Sequence, residues 1–125
     1  MVRLFAGWLV WDLATSLGAT PVHGPEVLDH GEASYYAKRL HGRKTASGER
    51  YNHQAYTAAH PSLPLGTWVK VWGPDQQRSV AVRINDRMPG RHGRVIDLSG
   101  AAAKALGLGR QGLAHVVVLA HAETP

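Results

Sequence analysis

The chain has 125 residues, 44% of them hydrophobic and 18% charged, with fourteen glycines and seven prolines, which suits one loop-rich, mainly β domain rather than a disordered segment. Its formal charge is +5, but no run of five or more Lys or Arg occurs and the aromatics are not interleaved with basic residues, so no nucleic-acid partner is expected. Cysteine is absent, which excludes disulfides, thiolate metal sites, a cysteine nucleophile and a lipid anchor on an N-terminal cysteine.

Residues 1–19 carry Arg3, an apolar run from Leu4 to Val10 and small residues at Ser16, Gly18 and Ala19, the pattern of a possible signal peptide. Residues 20–30 include Pro21, Gly24 and Pro25 and read as a linker. The folded domain is expected over 31–121, with 122–125 as a tail. Within it, Ala33-Ser34-Tyr35-Tyr36 is a strand candidate, Arg39 to Arg50 reads as loop, and Tyr51 to His60 stands between loop and one helical turn. Pro61 and Pro64 then forbid regular helix. Thr67 to Trp72 and Arg78 to Asn85 alternate and flank the turn Gly73 to Gln77, so 67–85 predicts a β-hairpin. Arg94 to Leu98 is a further strand. Ser99 can cap a short helix from Gly100 to Leu106, with Gly107 past its end. Val116-Val117-Val118-Leu119 suits a fully buried strand. Short strands, one short helix and many turns indicate a small closed or nearly closed barrel. No internal repeat stands out.

The chemistry-bearing residues are few. Between residues 31 and 121 there are five carboxylates: Glu32, Glu49, Asp75, Asp86 and Asp97. Asp75 belongs to a turn, Glu32 to a solvated strand start, and Asp97 is expected to hydrogen-bond backbone near the helix start. Asp86 ends an alternating strand whose Val80, Val82 and Ile84 point one way, a rigid support that can deliver an acid to its exit. Glu49 is the second carboxylate that could join it in acid–base work. The eight histidines show no metal-binding spacing, and no metal is expected. His60, in the apolar setting Thr57-Ala58-Ala59-His60-Pro61, could orient a carboxylate. Neither a Gly-x-Ser-x-Gly elbow nor a phosphate loop is present.

Four segments in order resemble the rare lipoprotein A (RlpA) family: Gly31-Glu32-Ala33-Ser34-Tyr35-Tyr36; His41 to Glu49 together with Thr57 to Thr67; Val80-Ala81-Val82-Arg83-Ile84-Asn85-Asp86-Arg87-Met88-Pro89; and Gly93 to Ser99 with Ala101-Ala102-Ala103. The resemblance covers residues 31–120. It implies a six-stranded double-psi β-barrel with one or two short helices, the fold of expansins and barwin-like proteins. It implies an exported protein of the periplasm or cell envelope. It further implies an endolytic lytic transglycosylase that cuts the MurNAc–GlcNAc β-1,4 bond of peptidoglycan, on peptide-poor glycan strands, leaving a 1,6-anhydro sugar.

Carried over by position, Asp86 is the acid/base, with Glu49 and His60 as the other catalytic residues. Tyr36, Thr45, Ser47 and Arg87 are expected substrate contacts, Tyr36 by stacking on a sugar face. No cofactor is implied. The partner is the peptidoglycan glycan strand, and the protein is expected to be a monomer with no stable membrane anchor once its leader is cleaved. The alternative is a non-catalytic, expansin-like module that binds glycan or loosens the wall. The sequence departs from the family at Met88, where glycine is usual; a positive φ there would strain a methionine. It also lacks the lipid-anchoring cysteine and the C-terminal glycan-binding SPOR domain.

Overall fold

The computed structural model describes residues 26–121. The possible signal peptide, residues 20–25 of the expected linker and the tail lie outside the described residues. Six strands follow in chain order: β1 (Val27–Tyr35), β2 (Thr57–Ala59), β3 (Trp68–Trp72), β4 (Ser79–Asp86), β5 (Arg94–Leu98) and β6 (Ala114–Ala120). They close into one barrel in the order β1-β5-β2-β4-β3-β6, the mainly β, six-stranded architecture that the sequence implies. The pairs β1/β5 and β2/β4 are parallel, and the other contacts around the ring are antiparallel.

Alternation explains the core. Val69 and Val71 from β3, Val82 and Ile84 from β4, Ile96 and Leu98 from β5, and Val116 and Val118 from β6 all point inward and are buried. Their intervening neighbours face outward, as Lys70, Ala81 and Arg83 do. The predicted hairpin is β3–β4, joined by a turn in which Gly73 donates its N–H to Arg78 O at 2.9 Å. The helix α1 (Gly100–Ala105) forms where expected. Ser99 caps it by accepting the Ala102 N–H at 3.1 Å, while its own hydroxyl donates to Ala55 O at 2.6 Å. A single turn of 3-10 helix, Lys38–Leu40, lies in the loop after β1.

Three expectations need correction. The barrel begins at Val27, so residues 27–30 of the expected linker are strand. β6 supplies their hydrogen-bond partners from Val27↔Leu119 to Ala33↔Ala114. Gly31 is not a break in that strand but a point of close approach: a Cβ there would lie 2.6 Å from Gly93 O and 2.8 Å from Val95 Cγ1. Second, β2 lies inside the segment read as loop or helical turn. All three of its residues are buried between β4 and β5, so it shows none of the alternation that marks a half-exposed strand. Third, β6 is buried on one face only, with His115 exposed.

Both parallel ladders carry a one-residue bulge. Opposite β2 the partner jumps from Ile84 to Asp86, leaving Asn85 extra; opposite β1 it jumps from Arg94 to Ile96, leaving Val95 extra. A bulge turns the side chains that follow it, and in each strand the next ionisable residue is an aspartate.

Candidate active site

A cleft of about 370 Å³ opens where β1 and β4 end. Its walls come from the end of β1 and the residues after it, the Asp86–Pro89 exit of β4, the loop around Thr45, and Arg94 and Asp97 of β5.

Asp86 is held by three donors. Its Oδ1 accepts the N–H groups of Ala46 at 2.8 Å and Arg87 at 2.9 Å, and its Oδ2 accepts the Tyr36 hydroxyl at 2.5 Å. Two backbone donors occupy Oδ1, whereas Oδ2 has the single donor Tyr36 and keeps a lone pair at which a proton can be exchanged. Burial, and then the hydrogen bond to Asp86, push the Tyr36 phenol well above its ordinary value of 10.0, so it stays a donor. One face of Tyr36 stacks on Tyr51, with ring centroids 4.3 Å apart. The expected stacking of Tyr36 on a sugar is therefore limited to its other face, and its hydroxyl serves Asp86.

Glu49 does not line this cleft. Arg83 grips it through both terminal guanidinium nitrogens, at 2.7 and 3.2 Å, and Asn85 donates to it at 2.9 Å. Those hydrogen bonds, Arg83's first, hold the carboxyl below its ordinary 4.5. Since Asn85 is the bulged residue, Glu49 braces the bulge that aims Asp86. The same turn adds a second brace, Ser47 N–H to Asn85 O at 3.1 Å. Ser47 does not line the cleft either. Thr45 does; it is buried, and its hydroxyl donates to Glu49 O at 2.7 Å.

His60 is buried and lies off the cleft. Its Nδ1 accepts the N–H groups of both Ser62 and Leu63 at 3.0 Å. The proton therefore sits on Nε2, which faces Asp29 Oδ2 of β1 at 3.0 Å. The imidazole has no nitrogen left for a ligand, so the catalytic expectation for it gives way to a structural one. Its backbone does meet the site: His60 N–H donates to Asp86 O at 3.1 Å, and Arg87 donates to His60 O at 3.2 Å. Arg87 lines the cleft as expected.

Sequence reasoning missed the opposite wall. Asp97 does not cap backbone; it lines the cleft and binds Arg94 and the Ser34 hydroxyl, and Arg94 also donates to Ser34 at 2.7 Å. The signal was available: Arg83-Ile84-Asn85-Asp86, which ends β4, and Arg94-Val95-Ile96-Asp97, which makes up β5 but for Leu98, share the form Arg-x-x-Asp. Met88 also lines the cleft, 7% exposed, and among the described non-glycine residues only Gln76 and His92 have positive φ. The strain expected at Met88 is absent. Among the described residues no group of three or more His, Cys, Asp or Glu is placed to hold a metal, and no helix is long and apolar enough to cross a membrane.

Residues 29–118 match the family model described as lytic transglycolase. The chain is 50% identical over 93 residues to an endolytic peptidoglycan transglycosylase RlpA of Neisseria meningitidis, covering 74% of this chain and 39% of that one. It is 56% identical over 88 residues to the RlpA of Pasteurella multocida, covering 70% and 30%. The chain thus spans well under half the length of these relatives. Among solved structures, an expansin of Clavibacter michiganensis superposes with a TM-score of 0.60 at 24% identity, over 78% of this chain and 52% of that one. A Streptomyces papain inhibitor superposes at 0.58 and 21%, over 78% and 100%. These two likenesses concern the fold alone.

Proposed function

The chain belongs to the lytic transglycosylase family of double-psi β-barrels, and we propose that it cuts the MurNAc–GlcNAc bond of peptidoglycan with Asp86 as both acid and base. What carries this reading is the Asp86 carboxyl, fixed through Oδ1 by two backbone donors and open to proton exchange at Oδ2, on the wall of a cleft large enough for sugar rings.

Asp86 Oδ2 gives its proton to the oxygen between the two sugars, and the bond from that oxygen to C1 of MurNAc breaks. Positive charge develops on the ring. The 6-hydroxyl of the same sugar attacks C1 and returns its proton to Oδ2. The net change moves one proton from the 6-hydroxyl to the leaving oxygen, and no water is consumed. One residue serves both steps because the spent acid is the base needed next. The Tyr36 hydroxyl stabilises the intermediate carboxylate. Asp97 lines the same cleft, held by Arg94 and the Ser34 hydroxyl, and that polar group positions the sugar. Glu49 and His60 act as positioning residues through the bulge and the β2 backbone.

This substrate lies in the cell envelope, so the proposed place of action is the periplasm or wall, with the domain working as a monomer. The test is turnover on peptide-free peptidoglycan. Wild type releases 1,6-anhydro products, and Asp86→Asn loses at least ~100-fold with its circular dichroism unchanged. Glycan binding without product release would replace the enzyme by the expansin-like module; equal turnover by Asp86→Asn would move the site.

A further inference from the structure

Tyr36 stands one residue past the end of β1, with its backbone N–H donating to Leu98 O at 2.9 Å. Its hydroxyl bonds Asp86 Oδ2, one face of its ring lies on Tyr51, and the rest of the side chain borders the cleft. Tyr51 is different: it is 2% exposed and pinned at both ends. Its backbone accepts the Gly42 N–H at 2.8 Å and donates to Arg43 O at 2.6 Å. Its hydroxyl accepts the N–H of Gly100, the first residue of α1, at 3.0 Å, and its own hydrogen finds an acceptor in His53 Nδ1 at 2.7 Å. His53 is seated in turn. Its N–H donates to His41 Nδ1 at 3.0 Å, its carbonyl accepts the Ala101 N–H at 3.0 Å, and a Cβ on Gly100 would lie 2.3 Å from its ring.

The hydrogen bond to Asp86 cannot by itself keep the Tyr36 phenol in place through a reaction cycle. Its acceptor is a carboxylate in one half of the cycle and an acid in the other, and a bond to a charged oxygen is about twice as strong as one to a neutral oxygen. Stacking of two phenol rings does not depend on that charge. Here the ring centroids are 4.3 Å apart and the planes differ by 19°. A side chain at the end of a strand otherwise moves among its staggered rotamers. Resting on the reading that Asp86 exchanges the proton, we infer that Tyr51 is a positioning residue of the reaction: a fixed aromatic plate, moored by Gly100 and His53, that keeps the Tyr36 hydroxyl aimed at Asp86. Tyr51 acts on the reacting proton through Tyr36. Its ring does the aiming, and its hydroxyl holds the ring.

The test separates ring from hydroxyl and Tyr51 from Tyr36. Tyr51→Leu and Tyr51→Phe both lose the bonds to Gly100 and His53, but only Tyr51→Leu loses the plate. In steady-state turnover of soluble peptide-free glycan, Tyr51→Leu is expected to lower kcat by about tenfold or more with KM within about twofold, and Tyr51→Phe to recover kcat to within about threefold of wild type. On the Tyr36→Phe background there is no hydroxyl to aim, so Tyr51→Leu should cost less than about twofold in kcat. Tyr51→Met, whose flexible chain fills irregular gaps, takes the place of Tyr51→Leu if that variant shows no cooperative urea transition. Equal losses on the two backgrounds mark a merely structural role and overturn the inference. So does Tyr51→Leu with kcat within about twofold of wild type, or Tyr51→Phe as slow as Tyr51→Leu. Each of these results leaves the transglycosylase reading standing. Wild type that releases no anhydro product overturns that reading and this one with it.

Discussion

At the scale of single residues, the site is a carboxyl positioned by its neighbours. Tyr36→Phe removes the donor on Asp86 Oδ2 and should lower kcat by about 10- to 100-fold, the worth of a hydrogen bond to a charged group, with little change in KM. Steady-state kinetics on soluble glycan measures this. Tyr36 also leaves a mark on stability. Its phenol is raised in the fold, so it is protonated in both states below pH 10, and above that the unfolded chain ionises first. Stability should therefore fall as pH rises past about 10, and urea titrations should show a flatter decline in Tyr36→Phe. Glu49 carries the opposite sign. Its lowered pKa contributes stability above the ordinary 4.5 that is lost as pH falls below it. The pair with Arg83 is partly exposed, so the contribution is about 0.5–1 kcal/mol, and Glu49→Gln should lack that acid-side loss. For His60, substitution by Ala strands the N–H groups of Ser62 and Leu63. It should cost about 2 kcal/mol in urea unfolding while leaving the shape of the pH–rate profile intact, a result that a catalytic imidazole would not give.

At the scale of elements, the bulges on β4 and β5 are what convert strands into a site. Each sits in a parallel ladder just before an aspartate, and both aspartates reach the same cleft. The α1 cap is a second such joint, because Ser99 ties the helix start to Ala55 in the loop before β2. Ser99→Ala removes the cap and leaves Ala55 O without its donor inside the protein. The expected cost is about 2 kcal/mol, read from the urea midpoint at constant m. Periodicity and capping made β3, β4, β5 and α1 legible, because half-exposed strands alternate and helices need end groups. β2 was illegible because it is short and covered on every side. Asp97 was misread because Ser99, two residues on, suggested a role at the helix start, whereas the Arg-x-x-Asp form it shares with Asp86 was the cue to the cleft. Glu49 was expected beside Asp86 in the cleft; the structure has it bracing Asn85, a contact between residues 36 apart that spacing cannot show.

At the scale of the whole molecule, closure of the ring is the main fact. β1 pairs with both β5 and β6, so the first strand is complete only when the last is in place. Removal of β6 would expose the edges of β1 and β3 together, and a chain ending before Ala114 should show no cooperative unfolding transition by circular dichroism. Strand order of this kind does not follow from hydrophobic pattern, which fixes the face of a strand but not its neighbour. Resemblance to a family supplied the barrel, and the structure its order. The pairing at the barrel's other pole has a mechanical consequence. Ala120 donates its N–H to Glu26 O at 2.8 Å, and Val27 lies opposite Leu119, while the cleft opens at the far end of β1, roughly 25 Å away at a strand's rise per residue. The two ends of the barrel thus leave from one mooring point on the side turned away from the cleft. Anything joined to either end would act as a leash fixed at the stern, and the cutting edge could travel along a polymer strand without its tether crossing the track.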